Sequence, residues 1–134
     1  MELDTKQKVL LALYTEYQKD LPNMSSVNYK ALELESDVFY VAISKLLTEG
    51  YITDAWAIPR AGKMIDAYRL DNCKLTRDGI DYVESKLEIE PTLSGVEKVK
   101  AVTGKLAQWG LEQFKDVVVK IASETIKGSI GGGA

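Results

Sequence analysis

Leu10, Leu13, Tyr14, Tyr17 and Leu21 recur at spacings of three and four, which stacks them on one face of a helix. This predicts a first helix over residues 5–21, with Asp4 able to cap its start and Pro22 following its end. Residues 25–34 read as a shorter helix, capped by Ser25 or Ser26, with Val27, Ala31 and Leu32 facing inward. Ser36 reads as the next cap. From there Phe39, Ala42, Ile43, Leu46 and Leu47 form a strong helical stripe that ends at Gly50, where glycine accepts the positive φ of a sharp turn.

After Gly50 the periodicity changes. Residues 51–53 and 55–58 are rich in aromatic and β-branched side chains, and residues 59–63 contain turn formers. Residues 64–70 alternate, with Met64, Asp66, Tyr68 and Leu70 on one side and Ile65, Ala67 and Arg69 on the other. The pattern predicts a β-hairpin in which Trp56 and Tyr68 can face each other as a cross-strand pair. An exposed aromatic platform for a partner is the alternative for these two. Thr76 then caps a helix over 77–87, with Ile80, Val83 and Leu87 inward.

Three helices, a hairpin and a further helix are the order of a winged helix. Residues 25–34 and the Ser36 helix would be its helix-turn-helix pair. The expected fold is therefore α+β, mostly helical: a winged helix-turn-helix over residues 1–90. A boundary falls at Pro91, because proline disfavours helical geometry at Glu90. Ser94 with Glu97 is a capping box that opens a C-terminal amphipathic extension over 91–130, one long helix or two joined near Gly110. Residues 131–134 are expected to be a disordered tail.

The run Tyr14, Tyr17, Gln18, Lys19, Asp20, Pro22 and Met24 is followed by Phe39 and Ala42. Leu46, Glu49, Gly50, Tyr51 and Ile52 come next, and then Leu75, Thr76, Gly79, Ile80 and Tyr82. Together these resemble the YjcQ-type winged-helix proteins of Gram-positive bacteria and their phages, over about residues 5–87. The resemblance implies a compact regulator-like domain and no catalytic residues. The segment after Pro91 lies outside it.

Chemistry narrows the function classes. The chain has no histidine and a single cysteine, Cys73, so it lacks the commonest general base, a structural zinc site and an internal disulfide. No phosphate loop, no nucleophile elbow and no paired carboxylates stand out. The expectation is a protein that is not an enzyme, with no cofactor and no metal, placed in the cytoplasm because no signal peptide or spanning segment is read.

Charge bears on the partner. Residues 1–91 carry eleven basic and sixteen acidic residues, a net of about −5, whereas the whole chain is −3. A duplex-DNA reader needs local positive charge. On this reading Arg60 and Lys63 at the hairpin tip hold phosphates, Lys30 can touch another, and Tyr40, Ser44 and Lys45 lie toward the groove. The helix bearing them has no Arg, Asn or Gln to read bases. Two functions follow: a DNA-binding transcription regulator, or a protein-interaction module, such as a phage or host adaptor, that uses the winged helix as a scaffold.

The C-terminal stripe must be buried somewhere. Val99, Val102, Leu106 and Trp109 continue a nearly heptad-like seam, and Phe114, Val117 and Ile121 extend it. Self-association as a homodimer is the expected use. Folding back onto the same chain is the rival. A membrane surface is disfavoured because Glu97, Glu112 and Asp116 interrupt the lysines of the polar face.

Overall fold

The computed structural model describes residues 2–133, with side chains described from Glu2 to Ser123. Where a disordered tail was expected at 131–134, the backbone is helical to Gly133, and Ala134 lies outside the described residues. The described residues form an α+β fold of five α-helices and two small two-stranded sheets. In order these are α1 (Thr5–Tyr17), a 3-10 turn (Met24–Ser26), α2 (Ser36–Thr48), β1 (Ile52–Thr53), β2 (Trp56–Ile58), β3 (Ala67–Arg69), β4 (Lys74–Leu75), α3 (Arg77–Leu87), α4 (Gly95–Gln108) and α5 (Glu112–Gly133).

α1 starts where the sequence says. Asp4 accepts from the Gln7 amide and Gln7 returns a bond to the Asp4 amide, a complete capping box. It ends four residues early, at Tyr17, so Leu21 is 86% exposed and not on the inner face. The helix expected over 25–34 is not an α-helix. Asn28 Oδ1 accepts from the Ala31 amide, Glu33 takes a left-handed φ of 57°, and the segment closes as successive turns. Small polar side chains here offer the backbone local bonds that compete with a helical ladder. α2 begins at Ser36 itself, with Glu35 in the cap position and making no side-chain cap bond.

The expected hairpin is β2 with β3, antiparallel, pairing Trp56 with Arg69, Ala57 with Tyr68 and Ile58 with Ala67. Trp56 and Tyr68 therefore lie on opposite faces of the ribbon, and the expected cross-strand pair does not form. The returning strand starts only at Ala67. The Ile65 carbonyl is instead held by the Arg60 guanidinium at 2.7 and 3.1 Å, which keeps that segment out of the ladder. β1 does not extend the hairpin. It pairs with β4, Ile52 with Leu75 and Thr53 with Lys74, clamping the base of the hairpin to the start of α3.

Thr76 caps α3, accepting from the Gly79 amide at 3.0 Å while its hydroxyl donates to the Gly50 carbonyl at 2.6 Å. Gly50 has the positive φ expected of it, +77°. Gly79 is required for another reason: a Cβ there would overlap the Tyr51 carbonyl, which already accepts from the Thr76 amide.

The core is organised around α1. Residues Val9 to Glu16 are all buried, on every side of the helix. A helix buried all round must be covered on all faces, and one stripe against α2 and α3 does not suffice. The remaining cover is the C-terminal segment. α4 and α5, separated at Gly110, fold back on α1. Of the stripe expected at a self-association seam, Val102 and Leu106 are fully buried, Ile121 nearly so, and all three belong to the same core as Leu10, Leu13 and Tyr14, the placement of the fold-back alternative. Trp109, Phe114 and Val117 are partly buried against that core, and Val99 is half-buried.

Two buried carboxylates tie the layers together. Glu84 of α3 accepts from the Tyr14 hydroxyl at 2.8 Å and pairs with Lys98 of α4 at 2.7 Å. Glu16 accepts from Lys19 Nζ at 2.6 Å and the Asn23 amide at 2.8 Å, and Lys19 also donates to the Ile121 carbonyl at 2.9 Å. Among the described residues no buried side-chain polar atom lacks a partner. No helix among them is long and apolar enough to cross a membrane.

Candidate functional site

The face singled out by the sequence is α2 with the β2–β3 hairpin. The C-terminal helices sit against α1 and α4–α5 make no extensive packing with α2, so this face is uncovered. Its first residues are not arranged as a DNA reader needs them. Arg60 Nη2 donates to Asp37 Oδ1 at 2.9 Å, and the same guanidinium bonds the Ile65 carbonyl. Its plane also lies over the Tyr40 ring, 5.2 Å from the centroid. Lys63 Nζ is 3.8 Å from Asp37 Oδ2. The two hairpin cations thus converge on one carboxylate of α2. Arg60 beside Asp37 holds that carboxyl below its usual range, with the Lys63 charge adding to the effect. Phosphate binding by Arg60 would require breaking three contacts inside the protein.

Tyr40 is equally engaged. Its ring meets Phe39 at 5.5 Å and Tyr29 at 6.1 Å, both edge-on, and Tyr68 of β3 at 6.4 Å. Tyr40 is a half-buried hinge pin between α2 and the hairpin, and not a side chain standing out toward a groove. Ser44 is half-buried and its carbonyl accepts from the Thr48 hydroxyl. Lys45 is exposed and makes no ion pair among the described residues. Lys30 is exposed but faces α5, where with Asp116, Val117, Lys120 and Ile121 it lines a cleft of about 540 Å³.

Apolar side chains are the feature this face presents. Seven large hydrophobics are exposed among the described residues, and four of them, Val38, Trp56, Ile58 and Met64, lie on α2 and the hairpin. Trp56 and Ile58 share the outer face of β2, and Trp56 is 65% exposed. Val38 and Val41 of α2, with Ala42 and the hairpin residue Ile65, line a shallow apolar trough that Thr5 and Lys6 close at the start of α1.

Val38, Val41 and Ile65 were not among the expected site residues. Val38 and Val41 carry a legible signal, because they fall off the Phe39–Ala42–Ile43–Leu46 stripe and so are apolar residues on a face that should be wet. The pairing of Asp37 with Arg60, 23 positions apart, has no such signal. Among the described residues no group of three or more His, Cys, Asp or Glu side chains is placed to hold a metal ion.

No family model, curated protein or solved structure matches the chain.

Proposed function

We propose that the chain is a protein-interaction module built on a winged helix, with α2 in the recognition-helix position and the β2–β3 hairpin as the wing. The YjcQ-type resemblance of residues 5–87 belongs to the same reading. The observation that carries it is that four of the exposed large apolar side chains fall on α2 and the wing: Val38 in the trough it lines with Val41 and Ile65, Met64 at the wing tip, and Trp56 with Ile58 on the outer face of β2. An apolar surface rimmed by polar groups marks a docking face. The wing supports the same reading, because its Arg60 is committed to Asp37 within the protein.

A second reading, duplex-DNA binding, is favoured by one observation: Lys45 stands exposed and unpaired on an uncovered α2. One experiment separates the two. Fluorescence anisotropy with a labelled random-sequence duplex at low salt is expected to give no salt-sensitive binding. Binding that falls steeply with salt and is lost in Arg60→Ala/Lys63→Ala would replace the interaction module with a DNA regulator.

A further inference from the structure

We propose that the trough on α2 is a groove for an acidic amphipathic helix of a partner protein. The proposal rests on the protein-interaction reading above and names the partner's chemistry.

The floor of the groove is Val38, Val41 and Ala42, and its far wall is Ile65, with a volume of about 300 Å³. Met64, the neighbour of Ile65 at the wing tip, is fully exposed, and its flexible side chain adapts to irregular partners. Val38, Val41 and Lys45 follow one another at i, i+3 and i+7, so the floor runs for about two helical turns, roughly 10 Å. A helix laid along it buries residues of the same spacing, the usual way an amphipathic helix enters an apolar groove. Bases and phosphates have no use for such a floor.

Charge selects the sign of the partner. The rim carries Lys6, Lys45, Arg60 and Lys63 against Asp37 and Glu49. Glu49 is committed to Lys6 at 2.8 Å and Asp37 to Arg60 at 2.9 Å, which leaves Lys45 and most of the charge of Lys63 for an incoming group. This local excess of positive charge stands on a chain whose net charge is −3. Carboxylates flanking the apolar face of a partner helix are attracted to the groove and repelled by most of the remaining surface.

The test uses the full chain and fluorescein-labelled amphipathic peptides of about 18 residues, long enough to be helical. One has Leu at i, i+3, i+4 and i+7 with Glu on the polar face; the other has the same Leu pattern with Lys. Anisotropy is expected to show micromolar binding of the Glu peptide and at least about tenfold weaker binding of the Lys peptide. Val38→Asp and Lys45→Glu are each expected to weaken the Glu peptide by about tenfold, with circular dichroism unchanged, while Leu21→Ser, exposed and outside the trough, has no effect. Equal binding of both peptides, or no binding of the Glu peptide, overturns the proposal. Loss through Trp56→Ser with Val38→Asp silent overturns the groove and leaves the interaction module standing. Salt-sensitive duplex binding lost in Lys45→Glu, with no peptide bound, overturns both.

Discussion

Lys98→Met is the most informative single change in the packing of the C-terminal segment. Lys98 of α4 is 13% exposed and its ammonium is 2.7 Å from Glu84, itself 5% exposed on α3. Glu84 keeps one further bond, from the Tyr14 hydroxyl at 2.8 Å. Methionine fills nearly the same space, so the loss isolates the charge. It strands an ionised carboxylate between α1, α3 and α4, and removing one partner of a buried pair costs about 3–5 kcal/mol. For a chain of this size each kcal/mol moves Tm by roughly 4 °C, so a fall of about 12 °C or more is expected. Urea unfolding followed by circular dichroism, with thermal melts beside it, reads the effect. Glu84→Gln added to Lys98→Met should recover much of the loss, because no charge is then buried and the amide oxygen still accepts from Tyr14. A loss below about 1 kcal/mol for Lys98→Met, the worth of an exposed pair, would refute the claim that α4 is fastened to the domain by a buried contact.

Leu106→Ala is expected to cost about 3 kcal/mol of stability with no change of mass by light scattering, since the side chain is fully buried within its own chain; dissociation of a dimer would show that Leu106 serves a self-association seam instead. Gly79→Ala should cost about 1–3 kcal/mol by forcing the Tyr51 carbonyl away from α3, read by the same urea titration. Cys73 is buried and its thiol is pushed up to about 12, by burial first and the nearby Asp54 charge second. It should resist a thiol reagent at pH 8 in the native protein and react at once in denaturant, and rapid native labelling would contradict that placement. Asp37 has a folded pKa lowered from 3.8 by Arg60, so its contribution to wing docking is present above that value and lost as pH falls through the folded one. Tyr40 and Tyr68 NMR shifts should therefore hold through the ordinary carboxylate range and move only below it; movement at pH 5 would show that the Asp37–Arg60 contact does not hold the wing.

What the sequence determined by itself is local. The Asp4 cap, the Phe39–Leu46 stripe, the turn at Gly50, the hairpin and the Thr76 cap each depend on neighbours within a few residues, and each is present. The expected helix over 25–34 failed because Ser25, Ser26 and Asn28 bond locally in ways that a stripe of Val27, Ala31 and Leu32 does not reveal. Tertiary structure decided the rest, through pairs distant in the chain. The C-terminal stripe announced that it would be buried but not against what; the answer lay in α1, whose residues from Val9 to Glu16 are buried on every side and needed a second cover. Arg60 and Lys63 read as free cations because nothing nearby in sequence marks Asp37 as their acceptor. A hydrophobic pattern fixes which face of an element leaves water, whereas the identity of the surface or charge it meets depends on the packing of the whole chain.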